Sequence, residues 1–239
     1  MHPTIDLDFF EIPVYSALVM LGALAGLGVT WLYLRYRLRR ASVGSTFWDG
    51  ALLVFVASWV GARAYHVIMQ WDYYAARPDE IAQIGLGGLA IRGALITGLI
   101  TLALYARWRR LAFAKLADAA VIGLASSQTI GWAGAVAQGA NYGGVSDSPM
   151  AIDLPDLYGL VAPRFPGQHA EIALFAALFV TLAILAYSKP RPGILFLVYG
   201  LIACAANAAL GFQRGDETAQ WAGLGIDQWV DGVGVGAVL

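Results

Sequence analysis

Two arginine side chains in this sequence lie inside long apolar segments, where a charge is costly. Arg63 and Arg92 are both surrounded by mostly apolar residues, and a charge within a membrane-spanning helix usually faces the bundle interior or a watery cavity. Guanidinium groups match phosphate oxygens, so the two arginines could hold an anion such as a lipid phosphate. Alternatively, each could snorkel to the membrane interface or pair with a carboxylate such as Asp72 or Glu171.

Proton transfer requires a different set of side chains. His66 follows Arg63 in the same apolar segment, whereas His169 and Glu171 lie at the start of a later one. An imidazole or a carboxylate can accept a proton from a nucleophile, although an acidic residue in a first helical turn can also simply stabilise the helix dipole. The histidines match no metal-ligand pattern, and the single Cys204 excludes an intrachain disulfide and a cysteine metal cage. We therefore expect no metal and no cofactor.

The composition identifies the elements that must position these groups. Of the 239 residues, 59% are hydrophobic and 13% are charged, against about 45–50% and about 25% in ordinary soluble domains. Such a composition excludes a disordered chain, and a net charge of −1 excludes a basic nucleic-acid-binding protein. The sequence therefore predicts an all-α integral membrane protein with no nucleic-acid partner.

Seven segments approach the roughly 20 apolar residues that a membrane-spanning helix needs. They are 12–34, 50–69, 85–106, 117–137, 171–187, 194–212 and 222–239. The last is the weakest, because it is rich in glycine and contains Asp227 and Asp231. We predict a single transmembrane domain over 1–239, with a polar outer loop over 138–168.

The distribution of charge predicts how these helices are oriented. Basic residues favour cytoplasmic loops, and most of the 15 in this chain fall in alternate loops if the N-terminus is outside. Those in the predicted inner loops are Arg35, Arg37, Arg39, Arg40, Arg107, Arg109, Arg110, Lys115, Lys189 and Arg191. Most acidic residues fall in the outer loops. The pattern predicts seven transmembrane helices with the N-terminus outside and the C-terminus cytoplasmic.

Several short motifs in this topology resemble those of the prolipoprotein diacylglyceryl transferases, a family of seven-helix bacterial inner-membrane enzymes. The G-A-R at 61–63 is similar to the family's G-G-R, and 87–97 is similar to its G-G-x-x-F-H-G-G-L-I-G. The family signature G-R-x-G-N-F-x-N-G-E-x-x-G falls on 131–143, and its R-H-P-S-Q-L-Y-E falls on 164–171. A K-P-R-P motif followed by Y-G, between 189 and 200, completes the resemblance.

The resemblance implies a reaction and a set of binding residues. The family transfers the diacylglyceryl group of phosphatidylglycerol to the thiol of a lipobox cysteine in a preprolipoprotein, and glycerol phosphate leaves. This chemistry needs a deprotonated thiol and cations that stabilise the phosphate. The resemblance assigns lipid-phosphate binding to Arg63, Arg92, Arg164 and Gln168. The signature-loop glycines are Gly131, Gly134, Gly139 and Gly143.

The departures from the family pattern fall on its polar groups. Arg92 replaces the family's histidine, and an arginine cannot act as a base at neutral pH. Trp132 replaces the signature arginine. The other replacements are Ala135 and Gln138 for two asparagines, Ala140 for a glutamate, and Ala203, Asn207 and Leu210 for the charged residues of an R-x-x-x-E-x-x-R motif.

These departures lead to two functional hypotheses. We interpret the chain first as a non-catalytic, phospholipid-binding or structural subunit of a bacterial membrane complex, which would have partner membrane subunits. The alternative is an active transferase with rearranged groups, in which Arg63 and Arg92 bind phosphate. His66 or His169 would then help to deprotonate the thiol, and Glu171 is a further catalytic candidate. A transporter is disfavoured, since the spans show no chain of carboxylates.

Overall fold

A computed structural model of the protein describes residues 4–6, 11–38, 43–83, 87–216 and 219–238. The chain is mostly helical. The helices are α1 (Val14–Leu38), α2 (Val43–Met69), α3 (Trp71–Ala75), α4 (Ile91–Trp108), α5 (Phe113–Gln138), α6 (Gly167–Tyr187), α7 (Ile194–Gly211) and α8 (Ile226–Val238). A single 3-10 turn at Pro78–Glu80 lies between α3 and α4.

Five helices of the described chain are long and apolar enough to cross a membrane, namely α1, α2, α5, α6 and α7. The predicted all-α membrane architecture is confirmed at this level. Helix α4 begins at Ile91 rather than at residue 85. Helix α8 has 13 residues and is about 20 Å long at about 1.5 Å per residue, shorter than the roughly 30 Å hydrocarbon layer. Seven spans and the orientation of the termini stay predictions.

The loops contain short antiparallel hairpins that the sequence analysis did not predict. Strand β1 (Thr4–Asp6) pairs with β2 (Glu11–Pro13). Within the predicted outer loop, β3 (Ile152–Pro155) pairs with β4 (Val161–Arg164), so that Ile152 lies opposite Arg164. Just before α8, β5 (Gln220–Trp221) pairs with β6 (Leu224–Gly225).

Small residues allow the first long helices to pack closely. Helix α1 packs along α5 and α2 packs along α4. A Cβ added to Gly26 of α1 would lie 2.7 Å from the Gly123 carbonyl oxygen of α5, and the Ser127 hydroxyl donates a hydrogen bond to the Gly22 carbonyl across the same interface. At the second interface, Gly93 of α4 approaches the backbone of α2. Such small-residue contacts are typical of helix packing in membranes.

A buried apolar core joins α5, α6 and α7. Phe175, Leu182 and Leu195 are fully buried there. Asp118 of α5 fixes the start of α7, because its carboxylate accepts hydrogen bonds from the backbone N–H groups of Gly193 (2.7 Å) and Phe196 (2.9 Å). These N–H groups belong to a helix N-terminus, where donors otherwise lack partners.

The loop between α5 and α6 meets the segment after α7 at one end of the bundle. The Gly144 N–H donates to the Gln213 carbonyl at 2.8 Å, and the Phe165 N–H donates to the Gly144 carbonyl at 3.0 Å. Residues 142–144 therefore lie between 163–165 and 213–215. We call this the loop end of the bundle. Here α5 and α7 finish and α6 begins, so the side chains at these helix ends lie near one another.

Candidate functional site

A group of charged side chains from α4, α6, α8 and the segment after α7 meets at the loop end. Its members, which we call the polar cluster, are Arg92, Glu171, Arg214, Asp227 and Asp231. Arg92 lies in the first turn of α4, and Asp227 lies in the first turn of α8. Asp227 and Asp231 are four residues apart, so they share one face of α8.

Arg92 links α4 to α8 through two ion pairs. Its Nη1 lies 2.9 Å from Asp227 Oδ2, and its Nη2 lies 2.7 Å from Asp231 Oδ2. The Nε–H of Arg92 is buried and has no hydrogen-bond partner among the described residues. Among the described residues, α4 packs mainly on α2, and α8 packs mainly on α7. The two ion pairs of Arg92 therefore join the α2–α4 pair to the α7–α8 pair.

Asp227 receives donors from three different elements. Besides Arg92, the Tyr65 hydroxyl of α2 donates to Asp227 Oδ1 at 3.1 Å, and Arg214 Nη1 lies 3.7 Å from Oδ2. Arg214 also donates to Asp216 at 2.8 Å and to Asn141 at 3.0 Å. Although burial lowers the pKa of Arg214, its hydrogen bond to Asp216 and the nearby carboxylate charges raise that pKa above its ordinary value. Arg214 therefore stays cationic.

Glu171 contributes a carboxylate oxygen that is not engaged. The residue is 6% exposed, and its Oε2 is buried without a hydrogen-bond partner in the described chain. The charges that act on it are those of Arg92, Asp231 and Arg214. A buried polar atom without a partner is costly, so this oxygen is suited to receive a donor from a bound molecule.

The charges of the polar cluster do not balance. Arg92 and Arg214 are its cations, whereas Glu171, Asp227 and Asp231 are carboxylates, and Asp216 adds a fourth acidic group beside Arg214. An incoming phosphate must therefore compete with the protein's own carboxylates for the guanidinium groups. The cluster nevertheless brings together proton acceptors and cations, the two kinds of group that thiol transfer with a phosphate leaving group requires.

Arg63 lies outside the polar cluster and is fully engaged by backbone. Its guanidinium is 5.2 Å from the centre of the Tyr74 ring. Its Nε, Nη1 and Nη2 atoms donate hydrogen bonds at distances of 2.7–3.3 Å to the carbonyls of Glu80, Ile81, Gln83, Gly87 and Gly88. Arg63 thus holds the connection between α3 and α4. The predicted contact with lipid phosphate stays a prediction, since a phosphate would have to displace these carbonyls.

The two histidine candidates lie in environments other than the polar cluster. The His66 ring packs edge-on against Tyr74, with 5.9 Å between ring centres, and lies close to Gly88. His169 is exposed. Because His169 lies two positions from Glu171 on α6, their side chains leave the helix on roughly opposite sides. Among the described residues, neither imidazole is hydrogen-bonded to the polar cluster. Their predicted catalytic roles stay predictions.

Arg164 and Gln168 organise the loop between α5 and α6. Arg164 Nη2 pairs with Asp156 Oδ2 at 3.0 Å, and its guanidinium lies 4.6 Å from the centre of the Tyr142 ring. Gln168 is 2% exposed, and its Nε2 donates to the Ala140 carbonyl at 2.6 Å. The structure therefore places both side chains on protein partners, and their contact with lipid phosphate stays a prediction.

The predicted signature-loop glycines occupy different environments. Gly139 has φ +67° and ends α5 in the left-handed conformation that favours glycine. Gly143 lies so close to the Phe165 carbonyl that a side chain would clash. Gly134 packs against α1, whereas a Cβ at Gly131 would meet open space. Gly139 and Gly143 thus have a conformational and a steric reason to be glycine.

Comparison with known proteins establishes the family. The sequence model of prolipoprotein diacylglyceryl transferase matches residues 3–238. The chain belongs to the prolipoprotein diacylglyceryl transferase family. A relative from Bacillus licheniformis is 37% identical over 193 residues, which cover 77% of this chain and 70% of the relative. One from Geobacillus kaustophilus is 40% identical over 144 residues, and one from Thermosynechococcus vestitus is 26% identical over 211 residues.

The three matches cover different shares of this chain, and the three relatives have the same name. The Geobacillus match covers 59% of this chain and 52% of that relative. The Thermosynechococcus match covers 83% of this chain and 75% of that relative. All three are named phosphatidylglycerol–prolipoprotein diacylglyceryl transferase. These names favour the active-transferase alternative over the non-catalytic subunit, and the comparisons do not indicate a loss of catalysis. The apolar helices and the bacterial relatives identify a multi-pass inner-membrane protein.

In this family member, several positions at which the sequence suggested departures from the family motifs contribute to packing or to backbone contacts. Trp132 packs against the core of α5, α6 and α7, and Ala203 is buried in that core. The carbonyls of Ala135 and Ala140 accept hydrogen bonds from Gln168. The charged groups lie instead in the polar cluster, on α4, α6, α8 and the segment after α7.

Four residues of this region were not predicted as site residues, namely Tyr65, Arg214, Asp227 and Asp231. The two aspartates are four positions apart, so they lie on one helix face. That spacing was the available signal, because a carboxylate pair on one face of an apolar helix indicates a cationic partner nearby. The expectation that the helices contain no group of carboxylates is corrected accordingly, since Glu171 lies in α6 and the two aspartates of α8 pair with Arg92.

Proposed function

We propose that this protein is a phosphatidylglycerol–prolipoprotein diacylglyceryl transferase whose reacting groups are those of the polar cluster. The observation that carries the proposal is that Arg92 and Glu171, at the same end of the bundle, each present a buried polar atom without a hydrogen-bond partner among the described residues. A cation and a proton acceptor are the two groups that this reaction needs. The names of the relatives supply the substrate class.

In the proposed step, Glu171 is the base and Arg92 is the electrostatic stabiliser. The lipobox thiol gives its proton to Glu171 Oε2, and the sulfur bonds to the glyceryl carbon that carries the phosphate ester. The C–O bond breaks with its electron pair, and glycerol phosphate leaves. Arg92 stabilises the charge on that phosphate. His66 and His169 are the alternative proton acceptors, but Glu171 is supported by its burial and by its unengaged Oε2.

The other predicted site residues are proposed to act on the shape of the site. Arg63 organises the connection before α4, which contains Arg92. Arg164 and Gln168 organise the outer loop next to Glu171, and Gly139 permits the turn at the end of α5. We propose that they influence lipid binding through these loops. An unchanged amount of co-purified phosphatidylglycerol in a folded Arg63→Ala variant would count against this role and against a direct phosphate contact.

Complementation tests the proposed function. The protein is expressed in a strain depleted of its own transferase, and lipidation of a reporter preprolipoprotein is followed by its shift in mass. We expect lipidation with the wild-type chain and at least a tenfold loss with Glu171→Gln, since a positioned general base contributes roughly 10²–10⁴-fold. Asp153→Asn is the matched control, because Asp153 is an exposed carboxylate on β3.

A negative result would favour the non-catalytic hypothesis. If the folded wild-type chain restores no lipidation, the proposed function is rejected. Purification in mild detergent would then determine whether the chain travels with other membrane subunits. Co-purification of stoichiometric partners would support a structural subunit, and migration as a lone chain would count against one.

A further inference from the structure

Three donors from separate elements converge on one side chain in the polar cluster. The Tyr65 hydroxyl from α2, Nη1 of Arg92 from α4 and Nη1 of Arg214 after α7 all lie within 3.7 Å of the Asp227 carboxylate. Two guanidinium groups and a phenol directed at one point are a typical environment for an oxyanion. In this structure, the anion at that point is a carboxylate of the protein itself.

Asp227 is also the more accessible of the two aspartates. Its side chain is 27% exposed, whereas that of Asp231 is 9% exposed. Asp227 lies at the start of α8, directly after the β5–β6 hairpin, whereas Asp231 lies one turn further into the helix. Arg92 would keep its pairing with Asp231 if Asp227 moved away. Asp227 is therefore the carboxylate that an incoming anion can reach more readily, and the anion would take over the donors that Asp227 releases.

A second observation also indicates a bound molecule at this place. Arg92 Nε–H and Glu171 Oε2 are both buried without hydrogen-bond partners among the described residues. Arg92 lies in the first turn of α4 and Glu171 lies near the start of α6, so both groups lie at the loop end. Buried polar groups in folded proteins are normally satisfied. A ligand that carries both acceptor and donor atoms would satisfy them together.

We propose that Tyr65, Arg92 and Arg214 form a binding site for a phosphate ester, and that Asp227 occupies this site until the phosphate displaces it. The assignment of that phosphate to a phosphatidylglycerol head group rests on the proposed function. Asp227 is then a residue that sets the affinity of the site. It weakens phosphate binding by competing for the same donors, and it returns to them when the phosphate leaves.

This arrangement predicts an unusual sign for one substitution. Asp227→Asn removes a negative charge and the competitor for the two guanidinium groups, so affinity for phosphatidylglycerol should rise about tenfold, the equivalent of one charge-assisted hydrogen bond. Arg214→Gln should lower that affinity about tenfold for the same reason. Tyr65→Phe should lower it about threefold, since it removes a neutral donor.

The experiment uses the purified full-length chain in detergent, with lipid occupancy measured by native mass spectrometry. Phosphatidylglycerol and diacylglycerol are titrated separately, because diacylglycerol lacks the phosphate. Soluble glycerol phosphate and inorganic phosphate are titrated by calorimetry to distinguish a lipid phosphate from a free one. Arg77→Gln is the matched control, because Arg77 is an exposed guanidinium that contacts the Tyr73 ring, and its lipid affinity should equal that of the wild type.

The outcomes separate this inference from the proposed function. Tighter phosphatidylglycerol binding by Asp227→Asn, with weaker binding by Arg214→Gln and unchanged diacylglycerol binding, supports the site even if no transfer is detected. Unchanged or weaker phosphatidylglycerol binding by a folded Asp227→Asn protein overturns it, even in an active enzyme. If Asp227→Asn does not fold, unchanged binding in Arg214→Gln and Tyr65→Phe overturns it. Effects confined to soluble phosphates reject the lipid as the ligand.

Discussion

The ion pairs between α4 and α8 predict that the Arg92→Gln variant is less stable than the Asp231→Asn variant, although both variants break the same ion pair. Among the described residues, Arg92 is the side chain that donates to Asp231, at 2.7 Å, and the Asp231 side chain is 9% exposed. Arg92→Gln therefore leaves a buried carboxylate without its counter-ion. Asp231→Asn is less harmful, because Arg92 retains Asp227 at 2.9 Å.

The sizes of these effects follow from the burial of each partner. Removing one member of a buried ion pair costs about 3–5 kcal/mol, so Arg92→Gln should lower the free energy of unfolding by that amount. Asp231→Asn should cost about 1–2 kcal/mol, because a charged hydrogen bond becomes a neutral one. The double variant has no orphaned carboxylate at position 231. It should therefore be more stable than Arg92→Gln alone, with a coupling of at least about 1 kcal/mol.

Reversible unfolding in mixed detergent micelles measures these free energies for the wild type, the two single variants and the double variant. Asp153→Asn serves as the control for loss of an exposed carboxylate, and it should leave the free energy of unfolding within about 0.5 kcal/mol of the wild-type value. Strictly additive losses in the double variant would refute the reasoning, because they would mean that Arg92 and Asp231 do not stabilise each other.

Three further predictions concern the elements that position the site. Arg63→Ala should lower the free energy of unfolding by about 3 kcal/mol or more, because it frees several buried carbonyls, and limited proteolysis should detect faster cleavage between α3 and α4. Asp118→Ala should lower that free energy by about 2 kcal/mol through loss of two charge-assisted hydrogen bonds at the start of α7. Gly26→Val should lower it by about 1–3 kcal/mol, because α1 must move away from Gly123.

Conservative or remote variants provide the controls for these three predictions. Arg63→Lys keeps the charge but cannot reproduce the five carbonyl contacts, so it should restore only part of the stability. Asp118→Asn keeps an acceptor oxygen and should be less harmful than alanine. Gly28→Ala should be tolerated, because a Cβ at Gly28 meets no atom within 4 Å. Equal losses for Gly26 and Gly28 variants would contradict the proposed packing of α1.

The apolar segments made much of the helical architecture predictable. The predicted segment 194–212 corresponds to α7 at Ile194–Gly211, and 171–187 ends with α6 at Tyr187. The stretch between α5 and α6 spans 139–166, and its predicted position outside the membrane stays a prediction. Long apolar runs identify such helices because a helix satisfies its backbone hydrogen bonds within its own segment. The short hairpins were not predictable in the same way, since their pairing depends on where distant helix ends bring the loops.

The polar contacts were less predictable because their partners are distant in sequence. The sequence identified Arg92 as a charge that needs a partner, but it did not identify Asp227 and Asp231, which are more than a hundred residues away. The partners of Arg63 are backbone carbonyls, which leave no trace in residue types. Gln168 illustrates the same limit, because the family resemblance suggested a phosphate contact, whereas its amide donates to the Ala140 carbonyl.

Transfer by the purified protein is the most direct test of its proposed activity. The full-length chain is mixed with phosphatidylglycerol vesicles and a peptide that contains a lipobox cysteine. We expect the peptide to gain one diacylglyceryl group through a thioether, with release of one equivalent of glycerol phosphate, and we expect Glu171→Gln to slow both at least tenfold. Folded wild-type protein that leaves the peptide unmodified and releases no glycerol phosphate would contradict the account.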